Sequence, residues 1–168
     1  WISKHSGSMS WPITQGKWEV TKIVYIDEDK EVIYFKSNKE SIFESRFYSI
    51  RYDGSGLKLL TLEDGTHTVS LLGSKLYFID TFSSLKKPKV IKLKDLRTGS
   101  LIRVIKKTDK SQFEAYEWEI PKIIQFSSLD SSSILDGLLL LPKNYNPDKK
   151  YPLIVHGYGM PGTQIVWN

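Results

Sequence analysis

A chain of 168 residues with a net charge of +5 has room for one ordinary domain or for parts of two. Its aromatic and β-branched content argues against disorder, no apolar run approaches the roughly 20 residues of a membrane span, and no signal-peptide pattern opens it. The absence of cysteine excludes disulfides, thiolate metal sites and a cysteine nucleophile, while the scattered Lys86-Lys87, Lys106-Lys107 and Lys149-Lys150 clusters read as solvated surface rather than a nucleic-acid patch.

The chain begins at Trp1 rather than Met, which predicts a true start upstream, with room for a signal or anchor. From residue 18 the pattern is all-β. Residues 18–26 alternate and are rich in β-branched side chains, and Asp27 to Lys30 supply a polar turn. Residues 31–36 form a second strand closed by Ser37-Asn38. Residues 46–52 alternate cleanly into Asp53-Gly54-Ser55-Gly56, a hairpin signal that returns the chain along 57–61. A second set follows the same plan: strands at 66–71, 75–80, 89–93 and 100–105, with turns at Gly73-Ser74 and at 95–99.

Corresponding residues recur at a period of roughly 40 to 50, the spacing of four-stranded propeller blades. Gly16 matches Gly65, Trp18 matches His67, Tyr34-Phe35 matches Tyr77-Phe78, and Asp53 matches Asp95. The alternative is a β-sandwich built from the same eight strands. Two blades leave open strand edges and close no ring, so the reading predicts a structurally incomplete piece.

After Lys107 the character changes. Residues 110–117 make a polar connection with helical potential, residues 121–126 and 134–141 read as strands around a serine-rich turn, and 144–150 form a loop. Residues 151–155 then read as a buried strand that runs into His156-Gly157-Tyr158-Gly159-Met160-Pro161-Gly162, the way an α/β sheet presents ligand-facing backbone. The fold class is therefore mainly β. Residues up to 107 read as propeller blades, and those after them as a linker that runs into strands of an α/β sheet.

Gly16 to Val20, Tyr34-Phe35, Tyr48 to Ile50 with Asp53-Gly54, and Gly65 to His67 resemble the last two propeller blades of the dipeptidyl peptidase IV family. Leu138 to Pro142, Asp148 to Leu153 and Tyr158 to Gln164 resemble the start of that family's hydrolase domain. The resemblance runs from Ile13 onward and implies that residues 1–107 are the C-terminal part of the propeller and 108–168 a linker and the N-terminal strands of an α/β-hydrolase domain. The first eleven residues match poorly, and Ser6 to Ser10 read as a vector-derived stretch or a join. It implies an enzyme that removes dipeptides from peptide N-termini, with Pro or Ala at the second position, through a Ser-Asp-His triad. Neither cofactor nor metal is implied. The implied partners are peptide substrates held by their N-termini, with a homodimer of the parent allowed and no nucleic acid. A secreted, periplasmic or membrane-anchored parent is favoured over a cytoplasmic one.

The Gly-x-Ser-x-Gly nucleophile elbow of such enzymes lies downstream of this loop, and the 168 residues contain none. What carries over is Tyr158, at the position of the tyrosine whose hydroxyl helps form the oxyanion hole. Met160 departs from the family's Tyr-Gly-Gly-Pro, and His156-Gly157 echoes the lipase-type loop in which backbone amides do the donating. Without the family, Tyr158 reads as an aromatic packed under a turn. His5, His67 and His156 show no carboxylate or second histidine at metal-ligand spacing. Trp18 and Trp118 read as packing residues, and Lys17, Glu19, Lys39 and Glu40 as surface. The competing function is a propeller-type binding module from a catalytically dead relative.

Overall fold

The computed structural model describes residues 2–3, 10–109, 111, 119–160 and 163–168. Among them are twelve strands: β1 (Ile2–Ser3), β2 (Ser10–Trp11), β3 (Val20–Asp27), β4 (Val32–Ser37), β5 (Arg46–Arg51), β6 (Lys58–Leu59), β7 (Thr66–Leu71), β8 (Tyr77–Ser84), β9 (Lys87–Asp95), β10 (Leu101–Lys107), β11 (Lys122–Ser127) and β12 (Ile134–Leu139). The helical expectation for 110–117, apart from residue 111, and Trp118 and His5 fall outside the described residues.

Strands β3 to β6 and β7 to β10 form two four-stranded antiparallel sheets, each in simple up-and-down order. This is the blade pattern expected from the repeat. The two loops joining third to fourth strands are the expected ones. In the first, the Asp53 carboxylate accepts from the Ser55 N–H at 2.9 Å and Gly54 adopts φ +83°. In the second, Asp95 accepts from the Thr98 N–H at 2.7 Å and Gly99 adopts φ +77°. Gly16 and Gly65, matched in the repeat, share the same unusual backbone, φ +136° and +144°. A Cβ on Gly65 would lie 2.5 Å from the Ser83 carbonyl oxygen, and one on Gly16 would overlap the Trp18 indole, so both positions require glycine.

The sheets pack face to face through Tyr34, Phe47 and Leu60 of the first and Phe78 and Leu96 of the second. Phe47 and Phe78 are fully buried and meet edge-on, with ring centroids 5.1 Å apart. Alternation turns Ile33, Phe35, Tyr48 and Ile50 to the opposite face of the first sheet. Trp18 stacks on Phe35 there at 6.3 Å, as its packing role predicts. The first sheet is therefore covered on both faces, as a blade between neighbours would be. Burial of the tyrosine hydroxyl, reinforced by Glu40, pushes the Tyr48 phenol well above its ordinary range.

Strands β11 and β12 form a separate hairpin in full register, Lys122 opposite Leu139 and Ser127 opposite Ile134. Its serine-rich turn is organised by Asp130, whose carboxyl is held down at about 2 by hydrogen bonds from Ser128 and Ser132. One expectation is corrected downstream. Residues 151–155 form no strand, and Leu153, Ile154 and Val155 are 80% to 93% exposed. A buried strand needs neighbours to take its N–H and C=O groups, and among the described residues none lies alongside this segment.

Truncation of the inter-sheet contact should be costly. Phe47→Ala is expected to lower unfolding stability by about 3–5 kcal/mol, whereas Phe126→Ala, at a half-exposed ring, should cost under about 1 kcal/mol. Urea unfolding of the two variants followed by tryptophan fluorescence checks this.

Candidate functional site

The predicted tyrosine lies on an open loop. Residues 151–160 are exposed throughout, and a side chain on Gly157 or Gly159 would meet no atom within 4 Å. Tyr158 is 54% exposed, and its hydroxyl donates to the Met160 sulfur at 2.7 Å. The packed-aromatic reading of Tyr158 therefore does not describe this structure. Met160, the departure from the family pattern, is the residue that accepts the phenol's hydrogen bond. A thioether is a weak acceptor, so the hydroxyl is held in place but available to a stronger one. His156, two residues earlier, is exposed on the same segment.

The chain beyond the loop returns to the two sheets. The Thr163 N–H donates to the Met160 carbonyl at 3.1 Å. Gln164 then caps the short segment that follows: its amide donates to the Val166 carbonyl at 2.6 Å, and its own carbonyl accepts from the Trp167 indole at 2.8 Å. Val166 is buried. Asn168 sits where the first sheet meets the second, beside the isolated parallel pairing of Ser45 with Thr66. A groove of about 380 Å³ runs beside this segment, lined by Lys22, Lys36, Ile42, Glu44 and Trp167 among others. Burial and the nearby Lys22 charge pull the Lys36 ammonium below its ordinary range.

A second cluster was not expected from the sequence. His67, which showed no carboxylate at metal-ligand spacing, is fully buried and shares a 2.8 Å hydrogen bond between its Nδ1 and Asp80. Its Nε2 faces the Glu63 carbonyl oxygen at 2.9 Å. Asp80 also takes the Lys94 ammonium at 2.8 Å, while Lys92 pairs with Glu63 and lies over the Phe82 ring. The available signal was parity. Asp80 falls between Phe78 and Phe82 on the inner face of β8, where a carboxylate requires a partner. Two inward residues on β9, Lys92 and Lys94, are the charges that answer it. Arg46 shows the same logic in the first sheet: buried, it donates to Glu44 at 2.5 Å and to Asp64 at 2.6 Å. Glu40 pairs with Lys39 at the surface, as expected.

Burial pushes the Asp80 carboxyl up, but its contacts with His67 and Lys94 outweigh this and hold it below the ordinary carboxylate range. A carboxyl whose folded pKa is depressed contributes stability at pH values above its unfolded pKa of roughly 4, and loses it as pH falls through the lower folded value. Asp80→Asn should therefore cost about 3–5 kcal/mol near neutrality, since it strands the buried Lys94. It should also flatten the stability loss between roughly pH 4 and 2. Urea midpoints of both proteins across that range test the expectation.

Comparison with known proteins places these features in context. A family model described as the dipeptidyl peptidase IV (DPP IV) N-terminal region matches residues 1–89. The likeness thus extends to the first eleven residues, in which a poor match is expected from the sequence. A probable dipeptidyl peptidase 4 of Aspergillus flavus is 31% identical over 166 residues, covering 96% of this chain and 21% of that protein. Dipeptidyl peptidase 4 of Trichophyton rubrum is 32% identical over 164 residues, covering 93% and 21%. Among solved structures, Porphyromonas gingivalis dipeptidyl peptidase 4 is similar with a TM-score of 0.79 and 25% identity, over 88% of this chain and 21% of that one. The chain thus spans about a fifth of the length of the relatives it matches.

Proposed function

We propose that this chain, which belongs to the dipeptidyl peptidase IV family, is the part of a longer serine-type dipeptidyl peptidase that joins its propeller to its hydrolase domain. In this reading residues 1–107 are the C-terminal part of the propeller, and 108–168 are the linker and the first segments of the hydrolase domain. The whole enzyme removes dipeptides with Pro or Ala at the second position from peptide N-termini. Its Ser-Asp-His triad is supplied by sequence outside these 168 residues, which contain no Gly-x-Ser-x-Gly elbow. The chain by itself is then inactive.

Within that enzyme, Tyr158 is the oxyanion stabiliser. Attack by the serine on the substrate carbonyl places negative charge on its oxygen. A prepositioned phenol O–H and a backbone N–H can hold that charge without reorganising, each worth about 3–4 kcal/mol. The observation that supports the role is the exposed phenol between two unobstructed glycines, with its proton resting on a thioether. A developing oxyanion is a far stronger acceptor than the Met160 sulfur, so the hydroxyl turns to it as charge appears. The two sheets behind the loop act as a wall of the chamber that admits and orients the peptide.

Tyr158→Phe keeps the ring and deletes the donor. In the whole enzyme kcat should fall about a hundred- to a thousandfold, with KM little changed because the interaction matures only in the transition state. Steady-state hydrolysis of a Gly-Pro chromogenic substrate measures this. A loss below about fivefold would assign the hole to backbone amides near His156 and Gly157 instead.

A further inference from the structure

Residues 163–168 make a set of contacts unlike those of a passing loop. The Asn168 N–H donates to the Phe43 carbonyl at 2.8 Å, and its side-chain amide donates to Glu44 at 2.7 Å. Its carbonyl oxygen accepts the Thr66 hydroxyl at 2.9 Å. Phe43 and Glu44 lead into the first sheet, and Thr66 opens the second. One asparagine therefore bonds to both sheets where they meet.

Each partner is itself fixed. Glu44 is 5% exposed and clamped by Arg46, which is tied in turn to Asp64. Thr66 follows Gly65, whose backbone permits no side chain, and precedes His67, locked by Asp80 and Glu63. The His67 N–H also donates to the Ser45 carbonyl at 2.8 Å, closing the seam between the sheets. On the other side, Thr163 is bonded to Met160, and Met160 holds the Tyr158 hydroxyl. Together with the backbone from Thr163 to Asn168, these bonds connect the candidate oxyanion donor to the rigid seam.

We propose that Asn168, Glu44 and Thr66 form a latch that positions the Tyr158 loop against the seam between the two propeller sheets, so that these three are positioning residues for catalysis. The inference rests on the oxyanion role of Tyr158. The latch acts through the placement of the phenol and contributes no atom to the reaction. A hydroxyl displaced by a fraction of an ångström still allows substrate to bind but meets the oxyanion poorly.

The test is a double-mutant cycle in the whole enzyme with a Gly-Pro chromogenic substrate. Asn168→Asp replaces the donor amide with an acceptor facing Glu44, Thr66→Val removes the hydroxyl while keeping the shape, and Thr66→Ser restores it. Asn168→Asp and Thr66→Val should each lower kcat about ten- to a hundredfold with KM within about twofold, and Thr66→Ser should recover most of the loss. In a Tyr158→Phe background the same changes should cost less than about threefold, since the group they position is already gone. Should Asn168→Asp fail to fold, the Thr66 pair carries the cycle alone. Equal losses in both backgrounds, or losses confined to KM, would overturn the latch while leaving the Tyr158 assignment standing. A Tyr158→Phe enzyme of normal activity would overturn both.

Discussion

Phe47 and Phe78 meet edge-on between the two sheets, and the rest of the structure is arranged around that contact. A four-stranded sheet cannot leave both faces in water, and the first sheet here is apolar on both. Packing one face through Phe47 onto Phe78 brings the start of β5 beside the start of β7. That is where Ser45 pairs with Thr66 and where the end of the chain is held. The opposite face, with Ile33, Phe35, Tyr48 and Ile50, is covered by Trp18 and neighbouring residues. Position in this protein is thus set from the aromatic core outward.

Charge is buried on the same scaffold, and each buried charge has an answer. Asp80 meets His67 and Lys94, Arg46 meets Glu44 and Asp64, and Lys92 meets Glu63. Such pairs add little net stability over an apolar packing of equal volume, but removing one member leaves the other stranded. What they supply is geometry. His67 with both ring nitrogens engaged cannot rotate, and Glu44 gripped by Arg46 presents its second oxygen in one direction. Both lie next to the seam that receives the segment following the tyrosine loop.

The blade plan was legible because its signals are local. Asp53-Gly54 and Asp95 to Gly99 make their turns through their own side chains and backbone, and the Gly16 and Gly65 repeat marks two positions where a Cβ has no room. Tyr158 was singled out by resemblance alone, and its place in a glycine loop followed from the residues themselves. The His67 and Asp80 pair was missed because the partners are separated by a strand and a turn, and only the inward parity of Asp80 hinted at it. The contacts of Asn168 with Glu44 and Thr66 span more than a hundred residues, a distance at which no spacing rule operates. The expected strand at 151–155 failed for a related reason: its sequence is apolar and β-branched, but strand formation depends on neighbours that sequence pattern alone cannot supply.

The role proposed for Tyr158 depends on where its hydroxyl points once charge develops on the substrate. A crystal structure of the whole enzyme carrying a dipeptide boronate, whose tetrahedral adduct mimics the attacked carbonyl, tests that directly. The phenol oxygen should leave the Met160 sulfur and lie about 2.7–3.1 Å from the adduct oxygen, with Asn168 still bonded to Glu44 and Thr66. A phenol that remains on Met160, with the adduct oxygen served by backbone N–H groups alone, would contradict it.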